Sequence, residues 1–201
     1  MLYHKRLHQK GFTIIEILIV LVVIGIVSAT AFSFFNNAFN EYLSLQQDSI
    51  RFGDLAMQSQ RVTNVLRGLL DITSANNDEL TVYAYFAPND TYVSLVKYYK
   101  NQHKTSLLAD VTPMTANPPD GTPIFTDTKT YTIIHDFHES ASVKTFEFLD
   151  SASNTLDLPI SDLHSIKGIK INLSVPTISP VASGDSLISS QVALRNRKTN
   201  L

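Results

Sequence analysis

Apolar positions along the chain follow two successive regimes. From Ile17 to Phe35, 19 residues run without a formal charge. A hydrocarbon core of about 30 Å takes roughly 20 helical residues to cross. A core helix of this length would show a polar stripe, and none is present before Asn36. The pattern predicts a membrane-inserting helix. From Asn36 to about Leu70 it turns amphipathic. Phe52, Leu55, Val62, Leu66 and Leu69 fall at helical spacing, with Ser59 in the one missing step, and Phe35, Phe39, Tyr42 and Leu43 begin a similar face. Glu41, Asp48, Arg51, Asp54, Arg61 and Arg67 fall among polar positions. The period is helical, where a strand would alternate. No proline precedes Pro88, so one helix is predicted from Phe12 to about Leu70, roughly 85–90 Å long at 1.5 Å per residue. Gly53 and Gly68 are its weak points, with Gly68 close to its end.

Beyond the helix the period changes. Asp71 to Asn77 is polar and reads as a connector. Leu80–Phe86 and Tyr92–Tyr99, rich in aromatic and β-branched residues, read as two strands of a hairpin about a Pro88-Asn89-Asp90 turn. Asn101 to Asp127 carries four of the eight prolines and reads as a long surface loop. Tyr131–Phe137, Val143–Leu149, Ile166–Val175 and Leu187–Arg195 read as further strands, with a turn over Asp150–Asn154. One helix followed by about six strands predicts an α+β fold with an antiparallel sheet. There are no internal repeats.

Charge sharpens the picture at the start. Met1 to Gly11 holds Lys5, Arg6 and Lys10 and no acid, while the other 190 residues carry 13 basic against 18 acidic side chains. A short basic segment before an apolar run places the basic end in the cytoplasm and the rest of the chain outside. The net charge of −2 argues against a protein built mainly to hold nucleic acid, which carries a basic surplus. The chain has no cysteine. Disulfides, Cys-ligated zinc, iron–sulfur clusters and a thiol nucleophile are thereby excluded.

One acid interrupts the apolar stretch. Phe12 to Phe35 would be unbroken but for Glu16 and the milder Thr13. An acid inside a span costs about 2.5–3.5 kcal/mol on insertion scales, so Glu16 needs a partner, a proton or an interface. The stretch Lys10-Gly11-Phe12-Thr13-Ile14-Ile15-Glu16 closely resembles the processing site of type IV prepilins and type II secretion pseudopilins, and the resemblance runs on to Ile26 through Gly25. It implies that a membrane-embedded aspartyl peptidase cuts between Gly11 and Phe12, on the cytoplasmic side, and methylates the new amine of Phe12. It makes Glu16 the assembly residue. The physics agrees: a cationic amine and an anionic carboxylate in neighbouring subunits relieve a desolvation penalty that each suffers alone. Their attraction is several-fold stronger at low dielectric than in water. In its own chain Glu16 lies in the first helical turn, where the dipole favours an anion.

The resemblance implies a pilin-like fold, a sheet packed on the outer half of the long helix. Its divisions are a leader over 1–11, a transmembrane and assembly helix over 12–36, an amphipathic continuation over 37–70 and a β-rich extracytoplasmic domain over 71–201. The runs Phe146–Asp150, Ile169–Leu173 and Val192–Asn196 look more like minor pilins and pseudopilins than like major pilins. The expected protein is a filament subunit of a type IV pilus or type II secretion-like machine. It is not an enzyme, needs no cofactor, and begins in the inner membrane before entering an extracellular or periplasmic filament. Its implied partners are other pilin or pseudopilin subunits, the prepilin peptidase, an inner-membrane assembly platform and, before assembly, lipid.

Other chemistry is thinner. His135 and His138 with Asp136 and Glu139 resemble an H-x-x-H pair, but their strand and loop setting reads as exposed polar residues rather than a metal site. The acids of Asn76–Glu79 and Asp157–Asp162 are too sparse for a calcium shell. Arg195, Arg197 and Lys198 form a small basic end able to give only weak, salt-sensitive nucleic-acid binding. No nucleophile elbow or phosphate-binding glycine loop is present. The competing reading uses the same leader: Ser28-Ala29-Thr30-Ala31 suits an ordinary signal peptide cut near Ala31, giving a secreted or anchored binding protein that does not polymerise. Glu16 within the apolar core is awkward for it.

Overall fold

The computed structural model describes residues 13–139, 143–179 and 184–194. Helix α1 runs over Ile14–Arg67 without interruption, through both Gly25 and Gly53. It ends where expected, at Gly68, whose amide closes the last turn on Val65 O at 3.2 Å. The chain divides into two compact units, Met1–Leu45 and Gln46–Leu201.

In the second unit, eight strands follow the helix among the described residues: β1 Asp71–Ala75, β2 Glu79–Ala84, β3 Ser94–Lys100, β4 Leu107–Pro113, β5 Lys129–Ile134, β6 Phe146–Leu149, β7 Gly168–Pro176 and β8 Asp185–Ala193. They form two antiparallel sheets, one of five strands in the order β1-β2-β3-β4-β5 and one of three in the order β6-β7-β8. The α+β class holds, with the helix packed on antiparallel sheets, but the strands do not make one sheet. Two of them fall where loops were expected. The Asp71–Asn77 connector is β1, an edge strand whose Ile72 and Ala75 are buried while its other side faces water. The expected 101–127 loop contains β4, whose Leu107 and Ala109 are fully buried. Asp110 at the fourth position and Pro113 at its end hide this strand from a pattern reading. The hairpin stands: β2 and β3 pair from Glu79↔Tyr99 to Ala84↔Ser94. Its turn is held by Asp90, whose carboxylate accepts from Ala87 N at 2.8 Å.

Both sheets and one helix face share a single apolar core. Leu55, Val62, Val65 and Leu66 of α1 meet Leu80, Val82, Val96 and Leu107 of the first sheet and Phe146, Phe148, Ile169 and Ile171 of the second. The expected helical face is right from Leu55 to Leu69, but Phe52 is exposed. One turn before Leu55 the buried face passes instead through half-buried Arg51 and Asp48. Asp48 accepts from the amides of Ile178 and Ser179 at 2.8 and 2.9 Å, and Arg51 pairs with Asp136 at 3.4 Å. Ser59 is 1% exposed, and its hydroxyl lies 2.9 Å from that of Ser190 on β8. The apparent gap in the apolar stripe is therefore a polar joint between helix and sheet.

After β5 the chain crosses from one sheet to the other as a strap over residues 136–139, every residue of which is tied down. Asp136 pairs with Arg51 of the helix. Phe137 is buried and donates its amide to Thr105 O. His138 N donates to Ser174 O on β7 at 3.0 Å, Ser174 Oγ donates back to His138 O, and the His138 ring lies 2.7 Å from Asp185 on β8. Glu139 accepts from Lys100 at 2.6 Å and Lys104 at 2.7 Å, and Lys100, almost wholly buried, also reaches Asp78 at 2.6 Å. Hydrogen bonds from the two lysines hold the Glu139 carboxyl below its ordinary range.

Candidate assembly helix

The candidate site is the first unit's helix, and its geometry starts at Thr13. Thr13 O accepts from Glu16 N at 3.0 Å and from Ile17 N at 3.2 Å. Its hydroxyl lies a long 3.4 Å from Glu16 N. Thr13 thus sits at the N-cap and Glu16 three positions on, the spacing of a capping box. The Thr-x-x-Glu interval is present in the sequence, but only the helix start at Ile14 shows that Thr13 caps it. The pairing gives Glu16 a local role as well: it stands in the first turn, where unpaired amides and the helix dipole favour an anion.

From Ile14 on, the helix presents apolar side chains on every side. Ile14 is 81% exposed and Phe32 76%. The helix contains a stretch, exposed along its whole length, that is long and apolar enough to cross a membrane. The polar groups within it are muted: the Thr30 hydroxyl donates to the carbonyls of Ile26 and Val27 at 3.1 and 2.9 Å and offers no outward donor. Burying a large aliphatic or aromatic side chain is worth about 1.5–3 kcal/mol, so a continuous apolar cylinder of this kind is stable only within lipid or among other helices. Glu16 is the acid on this cylinder. It is exposed, and its carboxylate has no ion-pair partner among the described residues. Gly25 lies mid-span with open space where a Cβ would stand, leaving a flat spot against which another helix can approach.

Gly11 and Phe12, the expected cleavage and methylation positions, lie outside the described residues, as do Arg195, Arg197 and Lys198 of the basic end. His135 and His138 are exposed and face different partners. His138 is turned to Asp185, while His135 borders a cleft with Arg51, Asp54 and Gln58. Among the described residues no group of three His, Cys, Asp or Glu side chains is gathered to hold a metal ion. Asp162 is committed to capping a short helical turn through His164 N at 2.9 Å. The Ser28–Ala31 stretch lies inside unbroken helix.

Residues 6–32 match the family model of the prokaryotic N-terminal methylation motif. The chain carries the prepilin motif of type IV pilins and pseudopilins, and the match takes in Arg6 and Lys10 of the leader, Gly11, Phe12, Glu16 and the apolar run as far as Phe32. A prepilin-processed protein with a single N-terminal membrane anchor is the class that motif and helix define. No curated protein matches the chain.

Proposed function

We propose that the protein is a structural subunit, a minor pilin or pseudopilin, of a type IV pilus or type II secretion-like filament, and not an enzyme. The prepilin peptidase cuts between Gly11 and Phe12 and methylates the Phe12 amine. The apolar helix then holds the subunit in the inner membrane, N-terminus in the cytoplasm and β-rich domain outside. From there an assembly platform moves it into a filament of related subunits. The observation that carries this reading is Glu16: an acid on an otherwise apolar, solvent-exposed cylinder, without an ionic partner among the described residues of its own chain. In lipid such a group is penalised, and the Phe12 ammonium of an adjoining subunit neutralises it.

The same pairing sets register, because only one axial offset brings carboxylate and amine together. Glu16→Gln keeps the side chain's size and its capping geometry while removing the charge. The variant should be processed and should accumulate in the membrane at normal levels, and its recovery in the sheared filament fraction should collapse. Incorporation equal to that of the unsubstituted subunit would remove the assembly role from Glu16.

A further inference from the structure

A sheet edge exposes unpaired backbone groups, and folded proteins blunt such edges with lysine, proline, bulges, short length or a covering segment. Three of the four edges here are protected. β1 is five residues long, and its pairing with β2 shifts register between Ile72 and Ser74. β5 begins at Lys129, and its pairing with β4 shifts between Leu107 and Leu108. β6 is covered by the following turn, where Leu156 N donates to Phe148 O at 2.7 Å and Leu149 bridges Thr155.

Among the described residues β8 has none of these devices. It is nine residues long, pairs with β7 in unshifted register from Gly168↔Ala193 to Pro176↔Asp185, and contains no proline and no lysine. The 2.9 Å bond from Leu194 N to Lys167 O fixes the phase of the ladder, because hydrogen-bonded positions in an antiparallel pair recur at every second residue. Ser186, Ile188, Ser190 and Val192 therefore turn their backbone groups toward β7. Asp185, Leu187, Ser189, Gln191 and Ala193 turn theirs to the open side, where no backbone partner stands among the described residues. These same five residues are exposed, with the Asp185 carboxylate turned onto the His138 ring and the Ser189 hydroxyl donating to Asn172 Oδ1 at 2.7 Å.

We propose that this edge pairs with β8 of a second copy of the chain, antiparallel, about a two-fold axis through Ser189. Charge selects the direction. Asp185 is the only charged residue of the strand, so parallel pairing would set it beside its own copy, whereas antiparallel pairing sends the two to opposite ends. Length selects the register. Overlap of the whole strand sets Asp185 against Ala193, Leu187 against Gln191 and Ser189 against itself, and any slip shortens the ladder. An edge with no charge through its middle is complementary to itself, and a two-fold contact uses the same patch on both copies.

The absence of cysteine makes the test clean. In the full chain held in detergent micelles, Ser189→Cys should oxidise to a disulfide-linked dimer, because directly opposed hydrogen-bonded residues lie about 5.5 Å apart between Cα atoms, within disulfide range. Leu187→Cys alone and Gln191→Cys alone should stay monomeric, and a mixture of the two should cross-link. Adding Gln191→Pro to Ser189→Cys should abolish the dimer without lowering the melting temperature, since that amide serves no bond within the monomer. A monomeric Ser189→Cys chain would overturn the proposal, as would cross-linking equally strong from all three single positions or a dimer indifferent to Gln191→Pro. A different subunit as the true occupant would appear as the first of these results. None of them bears on Glu16, whose role is read separately in the filament fraction.

Discussion

Tyr98 shows what a single buried group does to the energetics of the β-rich unit. It is fully buried on β3, and its hydroxyl has no hydrogen-bond partner among the described residues. Burial therefore drives the phenol far above its ordinary value of 10.0, against a smaller opposing pull from the Arg61 charge. An unsatisfied buried hydroxyl costs about 1–3 kcal/mol, whereas the ring contributes packing whether or not the oxygen is present. Tyr98→Phe removes the liability and keeps the ring. Its melting temperature should equal or exceed that of the parent, a gain of up to about 1 kcal/mol at the midpoint. A clear fall would show that the hydroxyl has a partner, such as a buried water. Ser59 teaches the complementary lesson: a polar residue in an apolar stripe is buried without penalty because Ser190 meets it.

Among the connecting elements, the 136–139 strap ties helix and both sheets through charges, and one of its ends titrates in a defined direction. Glu139 is held below its ordinary value of 4.5 by hydrogen bonds from Lys100 and Lys104. The unfolded chain binds the proton first on acidification, so stability from this group is fully present above the ordinary range and is lost as the pH falls through the folded value. Glu139→Gln should lower the melting temperature at neutral pH and flatten its decline in acid. Melts of parent and variant followed by circular dichroism from neutral pH downward check this, and parallel declines would contradict it. The elements themselves were legible in proportion to their periodicity. The long helix and the β2–β3 hairpin are dictated by local pattern and turn chemistry. β1 and β4 were missed because edge position and an interior Asp110 erase the alternation that marks a strand. The split into two sheets and the strap between them depend on contacts distant in sequence, which no local pattern carries.

For the whole molecule, two kinds of surface divide the chain. The second unit buries its own core, while the apolar cylinder of the first carries Glu16 as its one acid up to Phe35, without an ionic partner among the described residues. That asymmetry, with the matched motif over residues 6–32, is what makes the protein an anchored precursor. The sequence displayed this part of the site almost completely, because membrane insertion and peptidase recognition both act on a contiguous stretch before any tertiary contact forms. Only the Thr13 cap and the open β8 edge needed the fold. The most direct test of the account is the intact mass and N-terminal fragment spectrum of the mature protein isolated from its native host. The mature chain should lack residues 1–11, begin at Phe12 and carry one added methyl group on its terminal nitrogen. A chain beginning at Phe32, or one retaining Met1 to Gly11, would contradict it.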